Sequence, residues 1–391
     1  MASNPGGDGD VPGSTVVLDP QAPLSAAFRE SVNAALTVFL AGQRAVLDEL
    51  GPELTAVHRL AGQLLSGGKR LRPAFAVWSY VGACGLPVHE LDGLLAAAAS
   101  LELLHVSALV HDDVMDSSDL RRGRPAAHRQ FETLHRDAGW LGDPQAYGRA
   151  GAILLGDLLL MWSVELAQRS GLPEKALARG LPILEAMRTE VTAGQYLDIV
   201  AQARPWPASP QGPEASVIGA AEQALAEADR VVEFKSARYT VSRPCQLGAA
   251  LGGGSSALHR SLAEYGSPLG RAFQFRDDLL GVFGDPQVTG KPTGDDLREG
   301  KRTVLVAHAF AHASPSARRL LVATLGDPAL DAAGVAALQQ VIADSGAMDA
   351  CEARISEGYQ RALAALDGAD LSEEGRTALT AMADAAVHRV L

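Results

Sequence analysis

Two acidic clusters carry the residue types and spacing that could do chemistry. Asp112, Asp113 and Asp116 close the stretch LVHDDVMDSSDLRRGRP (109–125), and Asp277 and Asp278 stand in GRAFQFRDDLLGVFGDP (270–286). On a helix, Asp112 and Asp116 fall one turn apart on the same face. Carboxylates at that spacing repel by roughly a few tenths of a kcal/mol, and acids at a helix C-terminus also oppose the macrodipole. A solvated helix end is therefore an unfavourable reading. A bridging cation removes both penalties, and magnesium suits the site: it takes oxygen ligands and is usually held by one or two carboxylates plus substrate phosphates.

Basic residues gather around these acids in the chain. GGKRLRP (67–73) sets Lys69 and Arg72 behind two glycines at a helix start, where backbone N–H groups also attract anions. Arg121 and Arg122 follow the first acidic cluster. Lys235 lies in EFKSARYT, and Lys291 and Lys301 lie in TGKPTGDDLREGKRT. Such a combination fits a substrate carrying diphosphates, with magnesium bridging carboxylate to phosphate and Lys/Arg holding the remaining oxygens. His111 reads as a packed helix residue. His105, seven residues before Asp112, shares its face and could line the same cavity. The chain contains no G-x-x-x-x-G-K-[ST] loop, no H-E-x-x-H or CxxC metal spacing and no G-x-S-x-G elbow.

The elements that must position these groups are helical. Ala- and Leu-rich segments of helical period alternate with short Gly/Pro breaks, and strand-like alternation is almost absent. Helices are expected over about 25–48, 54–66, 72–83, 88–116, 146–170, 175–201, 216–251, 258–283, 301–312, 315–325, 332–345, 348–366 and 371–390. The fold class is therefore all-α, a single large bundle over 23–391. Residues 1–22 are expected as a disordered tail, and ARPWPASPQGPEAS (203–216) as a Pro-rich loop. The runs 91–110 and 246–251 are apolar most of the way round, as in buried central helices, and ligand sites in bundles are built from facing helices.

The 391 residues are 47% hydrophobic and carry a net charge of −12, which argues against wholesale attraction to nucleic acid or an anionic membrane. Three scattered cysteines form no framework, and the Gly/Pro-rich start lacks a secretory pattern; a cytoplasmic protein is expected. No stretch reads as a membrane span.

In order along the chain, GGKRLRP, ELLHVSALVHDDVMDSSDLRRGRP, GQYLD, FKS, FQFRDDLLGVFGDP and TGKPTGDDLREGKRT resemble the motifs of trans-isoprenyl diphosphate synthases, most closely the actinobacterial geranylgeranyl diphosphate synthases, from about residue 25 onward. The resemblance implies head-to-tail condensation of an allylic diphosphate (dimethylallyl, geranyl or farnesyl) with isopentenyl diphosphate, in an all-α bundle that forms a homodimer. It implies that Asp112 and Asp116 hold two Mg²⁺ and Asp277 a third. Arg121, Lys235, Ser236, Gln274, Lys291 and Lys301 would grip the allylic diphosphate, and Lys69, Arg72, His105 and Arg122 isopentenyl diphosphate. Catalysis would thus fall to Asp112, Asp116, Asp277, Arg121 and Lys235, with Gln195 and Asp198 of GQYLD as supports. The chain departs from the family at Gly281, where an aspartate is usual, and at Ser236, where threonine is common; Asp285 could compensate for the first.

A tail running from Asp112 towards the helix N-terminus would meet a floor once per turn, about every 5.4 Å. Ser107 and Ala108, one turn down, are small, so the first floor is open; Leu104 and then Leu101 could close the tunnel. A C20 product is expected, with C15 or longer products as alternatives. A terpene cyclase would need a different second acidic motif and no GGKRLRP site. An inactive partner subunit should have lost acids or bases, and only Gly281 points that way.

Overall fold

The computed structural model describes residues 18–87, 89–206, 214–285 and 293–388. It is helical almost throughout: α1 (Ala26–Leu50), a 3₁₀ turn (Pro52–Leu54), α2 (Thr55–Leu65), α3 (Leu71–Cys84), α4 (Leu91–Met115), α5 (Ala127–Asp137), α6 (Pro144–Gln168), α7 (Glu174–Ala203), α8 (Glu214–Val231), a π-helical segment (Val232–Ser242), α9 (Arg243–Leu251) and α10 (Ser256–Phe283). After these come α11 (Asp295–Glu299), α12 (Val304–His312), α13 (Pro315–Thr324), α14 (Ala332–Asp344), α15 (Ala347–Asp367) and α16 (Glu373–Val387). The expected helix over 216–251 is thus broken into α-, π- and α-helical parts. The polar helix α5 and the short α11 are additions to the expected set.

α4 is the central pillar. Its Ala/Leu sequence gives helix propensity without polar demands, and it packs against α6, α1 and α3. α6 can approach closely because of Gly156: a Cβ there would lie 2.2 Å from His111 Nε2. The imidazole lies over that glycine, with Nε2 3.1 Å from the Ile153 carbonyl and 3.3 Å from Asp157. On the far side, α10 packs against the π-helical segment and α15.

Three expectations change. Residues 18–22 are not tail: the chain turns there, Leu18 and Leu24 pack on the core, and Trp78 Nε1 donates to the Pro23 carbonyl. Residues 1–17 lie outside the described residues. α7 continues to Ala203, so the Pro-rich loop begins at Arg204; its Trp206 stacks on Phe310 with ring centroids 4.5 Å apart, and 207–213 lie outside the described residues. Finally, α4 and α6 are each long and apolar enough to cross a membrane, contrary to the sequence-based expectation. In α4 72% of the apolar window is buried in the bundle, whereas in α6 only 44% is.

Candidate active site

One cavity of about 1000 Å³ opens among α4, α7, the π-helical segment and α10. Its mouth is charged, with Asp112, Asp277, Asp278, Asp296, Lys235 and Lys301, and its shaft is apolar, with Leu104, Ala108, Leu160 and Val191.

The turn and hairpin after α4 hold the first acidic cluster in place. Asp116 caps the helix through its amide to the Asp112 carbonyl, and Ser117 turns the chain in the left-handed region. A two-stranded hairpin then pairs Leu120 with Pro125 and Arg121 with Arg124. Arg122 and Gly123 both have positive φ (53° and 71°), the geometry of a tight two-residue hairpin turn. The hairpin folds Arg121 back onto α4, where Nε donates to buried Asp113 at 2.8 Å and Nη2 reaches to 3.8 Å from Asp112. Asp113, to which its sequence position assigns no role, thus anchors Arg121.

GQYLD supplies the opposite wall. Gln195 Nε2 donates to Asp112 Oδ1 at 2.9 Å, and Asp198 accepts from Lys235 Nζ at 2.6 Å, while the same ammonium stands 3.3 Å from Asp112. Gln195 and Asp198 thus contact Asp112 and Lys235 directly. Burial opposes ionisation of Asp112, but Lys235, Lys301 and Arg121 outweigh it and hold the carboxyl down at about 2. Asp116 moves the other way: burial and the neighbouring Asp112 charge push it up to about 6.

Lys301 joins the two acidic clusters. Its ammonium lies 2.5 Å from Glu299, 3.3 Å from Asp296 and 3.6 Å from Asp116. Glu299 also accepts from Ser118, tying α11 to the end of α4. Neither Glu299 nor Asp296 stands out in the sequence; α11 brings them in from a segment whose lysines draw attention first. On α10, Gln274 donates to Asp278 at 2.8 Å, and burial foremost raises Asp278 to about 8. Asp277 and Ser236 both line the cavity. Lys291 lies outside the described residues. Asp285 lies beyond the helix end and is exposed, so it does not stand in for a carboxylate at 281.

The basic loop is positioned by Arg70, a left-handed residue (φ 55°) whose buried guanidinium pairs with Glu102 at 2.6 Å and with Asn33. This fixes the start of α3 and leaves Lys69 and Arg72 lining the cavity. Arg72 donates to Thr240 at 2.9 Å and lies 4.2 Å over the Tyr239 ring, contacts no spacing in the sequence announces. His105 lies beside Tyr239, its buried Nδ1 without a hydrogen-bond partner. Burial, then the surrounding arginines, hold it well below the ordinary histidine range. Arg122 is not on the cavity wall; its guanidinium lies against Gly68, where a Cβ would be 3.5 Å away, and so joins the GGKRLRP loop at the rim.

The donor set fits magnesium. Asp116 Oδ2 and Asp278 Oδ2 are buried without hydrogen-bond partners, and lysine ammoniums occupy the gaps between the carboxylates. Among the described residues no three acidic, histidine or cysteine side chains converge as a closed metal cage.

A family model described as polyprenyl synthetase matches residues 55–342. In three dimensions the chain is similar to geranylgeranyl pyrophosphate synthase from Corynebacterium glutamicum, a structure complexed with isoprenyl diphosphate and magnesium. The identity is 41%, the TM-score 0.85, and the match covers 93% of this chain and 99% of that one. It is 31% identical to geranylfarnesyl diphosphate synthase of Aeropyrum pernix over 346 residues, 85% of this chain and 95% of that one. It is 32% identical to geranylgeranyl diphosphate synthase of Methanosarcina mazei over 271 residues, 68% of this chain and 72% of that one. With its acidic and basic motifs gathered on one cavity and this similarity running along most of its length, the chain belongs to the polyprenyl synthetase family.

Proposed function

We propose that the protein condenses isopentenyl diphosphate head to tail with an allylic diphosphate and releases a C20 product. The observation that carries this is a cavity whose wall combines charged residues with an apolar stretch. Ser107 and Ala108 both line it, but Ser107 donates its hydroxyl to the Gly156 carbonyl across the α4–α6 contact, so Ala108 is the more open first floor. Leu104 also lines the cavity and would be the later floor; Leu101, fully buried in the core, is not on its wall. The geranylgeranyl synthases among its relatives support C20, as does the small Ala108 on the cavity wall; other relatives carry the names of longer products.

Asp112, Asp116 and Asp277 would hold magnesium, three ions by family resemblance, which when bound neutralises diphosphate charge and stabilises the leaving group. Lys235, Lys301, Gln274, Ser236 and Arg121 would hold the allylic diphosphate as its C–O bond breaks and the electron pair leaves with it. Lys69, Arg72, His105 and Arg122 would place isopentenyl diphosphate so that its double bond attacks the allylic carbon. Apolar shaft walls keep water from the cation. The final proton has no conventional side-chain acceptor: His105, with its depressed basicity, serves poorly, and the released diphosphate takes it. The protein would act in the cytoplasm as a homodimer.

Purified protein incubated with magnesium, isopentenyl diphosphate and each allylic primer tests this, with products sized by chromatography. A C20 product is expected from the wild type, shorter product from Ala108→Phe, and loss of turnover by orders of magnitude from Asp112→Ala with the helical signal kept. No elongated product from any primer would sink the reading, and unchanged length in Ala108→Phe would sink the floor.

A further inference from the structure

The two acidic clusters differ by one carboxylate at their fifth position. In the first, the position four beyond Asp112 is Asp116, one turn along the same face; in the second, the position four beyond Asp277 is Gly281. The second cluster thus lacks its own third carboxylate in sequence. In space it does not. A Cβ at Gly281 would lie 1.9 Å from Asp296 Oδ2 and 2.7 Å from its Cγ, so the carboxyl of Asp296 fills the volume a side chain at 281 would take. Asp296 lines the cavity together with Asp277, Asp278 and Gly281, and its other oxygen stands 3.3 Å from Lys301. Asp278 is 4% exposed, and its Oδ2 has no hydrogen-bond partner in this corner.

We propose that Asp296, delivered by α11 into the space left by Gly281, is the third carboxylate of the second acidic cluster and shares in holding the magnesium–diphosphate there. Rebuilding that carboxylate on α10 would need the α11 carboxylate to leave. Gly281 and Asp296 are therefore sterically coupled: a side chain at 281 and the Asp296 carboxylate cannot share this space. This rests on the diphosphate reading above.

Calorimetric binding of inorganic diphosphate, with and without Mg²⁺, tests it without turnover. Asp296→Asn, of the same shape, should keep the helical signal while weakening Mg²⁺-dependent binding about 10- to 100-fold, the usual cost of losing a carboxylate near a metal. Gly281→Asp alone sets two carboxylates in one space and should lower the melting temperature. Asp296→Ala should bind as weakly as Asp296→Asn, and Asp296→Ala combined with Gly281→Asp should recover most of that loss. The proposal is overturned if Asp296→Asn binds as tightly as the wild type, or if the folded double variant is no tighter than Asp296→Ala. Absence of Mg²⁺-dependent binding in the wild type would instead overturn the functional reading itself.

Discussion

Asp278 shows how a single buried acid stores a pH dependence. Burial and neighbouring Asp296 and Asp277 raise it to about 8, so in the ligand-free protein it is protonated at neutral pH while the unfolded chain is not. A raised folded pKa gives stability that is fully present below the ordinary aspartate range and lost as pH climbs through about 8. Asp116, raised to about 6, adds the same sign over a lower window, whereas Asp112, held at about 2, stays ionised throughout both. Melting temperature in chelator is therefore expected to fall from pH 5 to pH 8 and to fall less in Asp278→Asn. A wild-type profile that is flat or rising across that range would remove the explanation. The residues of this cluster were legible in the sequence, because Asp pairs closing apolar runs are unusual. Asp296 and Glu299 were not, because their meaning depends on where α11 docks, and no local spacing encodes that.

At the scale of elements, the π-helical segment carries Lys235, and glycines of its neighbours set it in place. A Cβ at Gly194 would lie 2.4 Å from Lys235 N, one at Gly266 2.4 Å from Ser242 Cα, and one at Gly270 2.5 Å from Ala237 Cα. Side-chain bonds run to the same neighbouring helices: Glu190 accepts from Arg238 and Arg243, and Glu233 accepts from Arg238, Arg271 and Ser267. Close backbone packing and ion pairs to the same two helices thus hold the segment, an arrangement that keeps widened helical turns from relaxing to α. Gly194→Ala should push the Lys235 backbone away and cost about 1–3 kcal/mol of stability, the usual size for overpacking. It should also raise KM for the allylic diphosphate and lower kcat while leaving KM for isopentenyl diphosphate near the wild-type value. Equal change in both KM values would mean that Gly194 serves general packing alone. Sequence periodicity read 216–251 as one helix because π and α turns share the same apolar and polar residue types. α4 was legible, since its Ala/Leu run admits one burial pattern. α5 was missed because its residues are mostly polar and its place is fixed by α6.

For the whole molecule, the open question is what covers α6. Ile153, Leu154 and Met161 are 45%, 68% and 59% exposed on a helix less than half of whose apolar window is buried. An apolar stripe of this kind on a folded domain marks a contact surface. A second copy of the chain is the occupant proposed, because a two-fold axis sets the same stripe against itself and needs no other partner. The stripe also bears on chemistry: α6 braces α4 through Ser107 and His111, directly below Asp112, so covering it steadies the shaft. Sedimentation is expected to show a dimer. Leu154→Glu introduces two opposed charges at the axis and should give a folded monomer, with reduced turnover and a normal helical signal. A wild type that stays monomeric at every concentration, or a Leu154→Glu variant that remains dimeric, would place the interface elsewhere. In that case the exposed stripe would have to be met by a different surface, and the membrane-length apolar character of α6 would need its own test by vesicle flotation.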